Sequence, residues 1–165
     1  MLTRPATSAD APRLREYFAA LFDERCPYFL ARVTPPTLDE IEELIGDYAE
    51  SPRSALLLAE VRGAIAGSAQ FGAFSHPQQT HWGTLAVSVL APYRRQGVGR
   101  ALVAALLEWA KGVDGLRRLS LEVFATNTPA IRLYESLGFA VDGRKREGAR
   151  VGGDYVDLLL MSRGV

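Results

Sequence analysis

The sequence predicts an α+β fold built as a single domain. Three observations carry this expectation. The chain has 165 residues, 48% of them apolar and 23% charged, which are ordinary globular proportions at a length that suits one core. Segments with apolar residues at helical spacing are interspersed with short apolar runs that have strand character. Three of those runs follow one another across short connections, the pattern of an antiparallel meander. No repeat, linker or low-complexity stretch divides the chain.

Residues 2–4 read as a short strand. Ser8 or Asp10 then caps a helix with Pro12 in its first turn. That helix runs to about Glu24, with Leu14, Phe18, Leu21 and Phe22 on one face, and Cys26-Pro27 ends it. Thr37 with Glu40 three residues on forms a capping box for a second helix, whose stripe is Leu38, Ile41, Leu44, Ile45 and Tyr48. Its other face carries Asp39, Glu40, Glu42, Glu43, Asp47 and Glu50. After Ser51-Pro52 the period changes. Residues 54–62, 65–74 and 82–90 read as strands, with Gly63 in the first turn and a polar loop over 75–80. A helix follows over 99–111, facing inward with Leu102, Val103, Leu106 and Leu107 and stopped by Gly112. Residues 116–124 form a strand, and 128–137 a short helix with Pro129 at its start. Gly138 supplies the left-handed residue of a Schellman ending and Phe139 its apolar clasp. Residues 139–145 and 155–161 close the chain as a hairpin around Gly152-Gly153.

Lys plus Arg and Asp plus Glu number 19 each, so the net charge is zero and no nucleic-acid partner is expected. The zero conceals an asymmetry. Residues 1–60 hold 6 basic and 11 acidic side chains, whereas 61–165 hold 13 and 8. The single cysteine, Cys26, can form no internal disulfide and reads as a helix-end core residue. No Cys/His spacing offers a zinc site, so no metal is expected. The N-terminal residues lack the apolar core of a signal peptide, and no apolar run approaches the roughly 18 residues of a membrane span. The expectation is a cytoplasmic protein with no membrane contact; a homodimer is left open.

The most informative stretch is Val87-Ser88-Val89-Leu90-Ala91-Pro92-Tyr93-Arg94-Arg95-Gln96-Gly97-Val98-Gly99-Arg100. A strand enters a loop with two glycines, and the loop opens a helix. Glycines let backbone N–H groups approach a ligand, the helix N-terminus adds partial positive charge, and Arg94, Arg95 and Arg100 add full charges. This is a pyrophosphate cradle. A Rossmann fingerprint would need a third glycine where Leu102 stands, and a Walker loop would need Gly-Lys-Ser or Gly-Lys-Thr. Both readings fail.

Arg94-Arg95-Gln96-Gly97-Val98-Gly99 matches every fixed position of Arg/Gln-x-x-Gly-x-Gly/Ala, the acyl-CoA signature of the GNAT superfamily of N-acetyltransferases, and the chain resembles that family. A second block is similar to the family's Leu-Glu-Val…Asn…Ala…Leu-Tyr…Gly-Phe segment. It runs Leu121-Glu122-Val123-Phe124-Ala125-Thr126-Asn127 and on through Ala130, Leu133-Tyr134 and Gly138-Phe139. The order of elements resembles the family over nearly the whole chain. The resemblance implies a mixed β-sheet flanked by helices, the GNAT-like acyl-CoA-binding fold, splayed between the strands ending near Val89 and Phe124. It also implies acetyl-CoA as acyl donor, with pantetheine in that gap against Val87, Ser88 and Val89 and pyrophosphate on Arg95–Gly99. Asn127 would hold polar atoms of the CoA backbone, and Ala130 is the other cofactor-binding candidate in this block.

Acetyl transfer to an amine needs a base for the ammonium and an acid for the departing thiolate. Glu122 is the base candidate, a carboxylate sharing one strand face with Ser120 and Phe124 while the odd positions are apolar, and the resemblance to ribosomal-protein alanine acetyltransferases points to the same residue. A solvated glutamate near a strand end is its plain structural reading. Tyr134 is the acid candidate by family likeness, with core packing against Ile131 and Leu137 as the other reading. Asn127 also suits a helix cap. His76 and His81 could assist the base or simply lie at the surface, and the base could equally be ordered water, since residues 83–89 hold no carboxylate. Arg144-Lys145-Arg146 and Arg150 read as a solvated hairpin or a border of the acceptor site. The expected function is transfer of the acetyl group directly to a primary amine of a small molecule or protein N-terminus. An acyl-CoA-binding sensor or interaction domain without transfer is the alternative. The carboxylates of the second helix would favour a cationic acceptor.

Overall fold

A computed structural model describes residues 1–28 and 34–165. The elements in chain order are β1 (Leu2–Pro5), α1 (Ala11–Asp23), α2 (Leu38–Glu50), β2 (Ser54–Val61), β3 (Ala64–Ala73), β4 (Trp82–Val89), α3 (Val98–Lys111), β5 (Arg118–Phe124), α4 (Thr128–Ser136), β6 (Ala140–Val151) and β7 (Asp154–Gly164). The seven strands form one sheet in the order β1-β2-β3-β4-β5-β7-β6. Every neighbouring pair is antiparallel except β4 with β5, so the expected mixed sheet is present.

The apolar run at the centre of β2 shows why both faces of the sheet are covered. Leu56 and Leu58 join Leu14, Phe18, Leu21, Ile41 and Ile45, so α1 and α2 pack on one face. Ala55, Leu57 and Ala59 join Leu102, Val103 and Leu106, so α3 packs on the other.

Several local expectations hold. Thr37 Oγ1 accepts from Glu40 N at 3.3 Å, and Glu40 Oε2 accepts from Thr37 N at 2.8 Å. Gly138 adopts φ +83°, its N–H donates to Glu135 O, and Phe139 N–H donates to Tyr134 O, the bond pattern of a Schellman ending. The Phe139 ring then meets Tyr134 edge-on at 5.8 Å.

Two expectations need correction. A 3-10 turn, Ser8–Asp10, precedes α1, and the Asp10 carboxylate points back instead of capping α1. It accepts from Thr7 N and Thr7 Oγ1 at 2.9 Å and from Arg4 at 2.6 and 2.7 Å, and the Arg4 guanidinium holds the carboxyl well below its usual range. The closing hairpin is longer than expected, because β6 continues through the charged run beyond Lys145. That strand lies at the sheet edge, where one side stays open and charged residues are tolerated.

Candidate active site

The parallel pairing of β4 with β5 lasts only from Trp82–Arg118 to Thr84–Ser120. Ser120 Oγ donates to Gly83 O at 2.8 Å at this junction. Beyond it the strands diverge, as the family resemblance implied, and a cavity of about 940 Å³ opens between them. Its walls come from α1, α2, β3, β4, β5, α4 and the final hairpin.

The register decides which peptide groups face the gap. Leu90 N–H donates to Ala66 O, and Phe74 N–H donates to Trp82 O, so even-numbered residues of β4 turn their peptides toward β3. The alternation of an antiparallel ladder therefore turns Leu85, Val87 and Val89 the other way. Val89 O accepts from Arg94 Nε at 2.8 Å. Beyond the Thr84–Ser120 pair the edge at Val87 has no strand partner, because β5 has departed. Ser88 also lines the cavity. Its peptide faces β3, and its hydroxyl bonds Tyr17 Oη at 2.8 Å and Ser68 Oγ at 3.1 Å. Burial pushes the Tyr17 phenol up from its usual range.

At the end of β4 the loop turns through Arg95 at φ +62° and Gly97 at φ +83°, and Gly97 caps α3. Left-handed residues two apart turn successive N–H groups toward one side, which makes an anion-binding concavity at a helix start. Gly99 serves packing. A Cβ there would stand 3.3 Å from Leu133 Cδ2, so its absence lets α3 lie close to α4.

The arginines divide. Arg94 is not a free phosphate ligand: its guanidinium pairs with Glu24 and with Val89 O. Glu24, just past the end of α1, also accepts Ala91 N–H at 2.5 Å, so it braces the loop from both sides. Arg100 reaches Ser136 Oγ at 2.8 Å, and Arg95 is exposed without a side-chain partner among the described residues. Gln96 Nε2 donates to Pro92 O at 2.6 Å, shaping the loop.

Tyr134 lines the cavity at 8% exposure. Its hydroxyl has no hydrogen-bond partner among the described residues, and burial alone pushes the phenol up to about 12. It is therefore a protonated donor at neutral pH that the protein leaves open to the cavity. Asn127 and Ala130 line the same space, and Asn127 Oδ1 accepts Ala130 N–H at 3.3 Å as the α4 cap. Glu122 lies on β5 beyond the last residue paired with β4. Its side chain is 39% exposed, borders the cavity and meets Lys145 Nζ at 3.6 Å. Lys145 thus brings the basic hairpin to the border of the site. His76 and His81 do not line the cavity; His81 stacks on Trp82, and His76 Nδ1 accepts Gln78 N–H.

Two residues escaped the sequence reading. Glu24 looks like any acidic residue at a helix end, because its partners lie 67 and 70 positions away. Asp142 reaches the cavity because β6 carries an extra residue there: Val141 pairs with Met161 and Gly143 with Leu160. Such a bulge re-aims a side chain and leaves no periodicity to read. Among the described residues no group of three His, Cys, Asp or Glu could hold a metal, and no helix is long and apolar enough to cross a membrane.

A mixed sheet that splays beyond Thr84 and Ser120, a loop with left-handed Arg95 and Gly97 opening α3, and a phenol on the cavity wall together characterise the molecule. The model of the Acetyltransferase (GNAT) family matches residues 18–139, and the chain belongs to this family. It is 31% identical over 147 residues to the N-alpha-acetyltransferase RimI of Mycobacterium tuberculosis, covering 89% of this chain and 83% of that protein. It is 29% identical over 115 residues to the L-amino acid N-acetyltransferase AaaT of Escherichia coli, covering 70% and 71%. A crystal structure of a GNAT-family acetyltransferase from Streptococcus pneumoniae superposes with a TM-score of 0.94 at 29% identity, covering 99% of both chains. The protein is an acetyl-CoA-dependent N-acetyltransferase.

Proposed function

We propose that the chain carries the acetyl group of acetyl-CoA directly to a primary amine within the gap between β4 and β5. The observation that carries this reading is the β4 edge at Val87, left without a strand partner in a cavity that also receives Tyr134 and continuing along the chain to the loop that opens α3. Val87 and Val89 would bond the pantetheine amides through their backbone, with Asn127 and Ala130 alongside. The N–H groups from Arg95 to Gly99, with the Arg95 and Arg100 side chains, would hold the pyrophosphate. Arg94 would act at one remove, by holding the loop against α1.

The amine enters from the side of α1 and α2. Glu122 takes the ammonium proton, directly or through a water. The nitrogen then bonds to the acetyl carbon, which a β4 N–H polarises, and the C–S bond breaks. Tyr134 gives its proton to the thiolate. Of the two protons nitrogen loses, one is matched by the proton gained at sulfur and the other goes to bulk water.

Excess acetyl-CoA should protect the protein against heat. At 100 times the dissociation constant the stabilisation is about 2.7 kcal/mol, and at roughly 2–4 °C per kcal/mol for a chain of this size the Tm rises by roughly 5–10 °C. No shift would remove the donor site. Glu122→Gln should lower kcat by about tenfold or more. If kcat is unchanged, water carries the proton instead.

A further inference from the structure

The C-terminus of α1 is an unfavourable place for a carboxylate. Glu24 is the cap residue there, the last turn holds no basic residue, and the carbonyl end of a helix repels negative charge. The loop that Glu24 touches leads to left-handed Arg95 and Gly97, a concavity suited to an anion, where a further negative charge works against a phosphate. Two effects of the same sign disfavour this one side chain, and its bonds show what offsets them.

Glu24 Oε1 accepts Ala91 N–H at 2.5 Å, and Oε2 meets the Arg94 guanidinium. Ala91 begins the 3-10 turn that follows β4, and Arg94 closes it, its N–H donating to Ala91 O at 3.2 Å immediately before the left-handed Arg95. One carboxylate thus grips the first and last residues of the piece of chain that joins the strand to the concavity. Arg94 Nε donates to Val89 O at 2.8 Å, so the grip extends back into β4. The Glu24 side chain is well covered, 17% exposed against 38% for Arg94. Behind it α1 is fastened to the same strand a second time, through Tyr17 Oη and Ser88 Oγ at 2.8 Å. Helix α1 therefore holds both the end of β4 and the turn that leaves it.

We infer that Glu24 is a positioning residue of the donor site, setting acetyl-CoA affinity by fixing the 91–94 turn so that the N–H groups from Arg95 to Gly99 converge on the pyrophosphate. This rests on reading that loop as the pyrophosphate site. It assigns Arg94 to the brace and leaves Arg95 and Arg100 as the cations for phosphate.

The sign of one substitution separates this role from simple electrostatics. Glu24→Gln keeps an oxygen for Ala91 N–H but turns an amide NH2 toward the Arg94 guanidinium, so the pair is lost while a negative charge is removed. Charge alone would make acetyl-CoA bind more tightly. Loss of positioning instead raises its dissociation constant by about tenfold, measured by titration calorimetry well below the Tm of each variant. Glu24→Asp keeps the charge but is one methylene shorter, and should weaken binding likewise. Arg94→Gln should give a similar rise. The double variant Glu24→Gln/Arg94→Gln should stay at about tenfold instead of the roughly hundredfold product, because both single changes break the same brace. Tighter binding by Glu24→Gln, a dissociation constant within about twofold of the unaltered protein in both Glu24 variants, or a full product in the double variant overturns the inference. Arg95→Gln tests the reading beneath it. If Arg95→Gln weakens binding and the Glu24 variants do not, the inference alone fails; if none of them moves the dissociation constant, the loop is not the pyrophosphate site.

Discussion

Replacing Tyr134 with phenylalanine is expected to lower kcat by roughly 100-fold while leaving the acetyl-CoA thermal shift unchanged. The argument begins with packing. The ring is buried and rests against Phe139, and phenylalanine keeps that contact. The hydroxyl has no protein partner among the described residues, so its removal leaves no orphaned group and the fold should be at least as stable. What disappears is the proton proposed for the thiolate. Because burial holds the phenol up to about 12, it stays protonated throughout the assayable range. The defect should therefore be a nearly constant factor across pH. A kcat within about twofold of the unaltered protein would take Tyr134 out of the chemistry.

Gly83→Ala should be the most damaging single methyl group. A Cβ at Gly83 would stand 2.2 Å from Gly72 O and 2.6 Å from Ala73 Cα, both backbone, and 2.6 Å from Phe71 Cζ. No side-chain rotation relieves the first two, so β3 and β4 must part. The expected loss is about 3 kcal/mol or more, a fall in Tm of roughly 6–12 °C. Gly72→Ala is the matched control, since a Cβ there meets nothing within 4 Å. Urea denaturation of the two variants measures the difference, and coincident midpoints would refute it. Gly83 is also where β4 still holds both neighbours before the splay. Partial unfolding there should abolish acetyl-CoA protection as well.

The parts of this protein legible in its sequence are those written within a few residues. The Thr37–Glu40 box and the Gly138–Phe139 ending are local bonds between near neighbours, and both formed as read. The glycine loop before α3 was legible for the same reason. The destination of Arg94 was not, because Glu24 arrives from another helix and charge alone cannot tell a brace from a ligand. The hydroxyl partners of Ser88, Tyr17 and Ser68, were hidden for the same reason, since both come from other elements. The reach of β6 was hidden by its charged run, which on an edge strand carries no apolar period. Asp142 was hidden by the bulge, since one extra residue breaks the very alternation from which a face is inferred.

That bulge sits on the outermost strand, with β7 on one side and no strand on the other. Adding or removing a residue there shifts one row of side chains and disturbs no second ladder. The donor cradle, fixed by β4, α3 and α4, lies several strands inward. A single-residue insertion or deletion in β6 should therefore change which side chain reaches the cavity wall at Asp142, as an exchangeable tip on an unchanged tool.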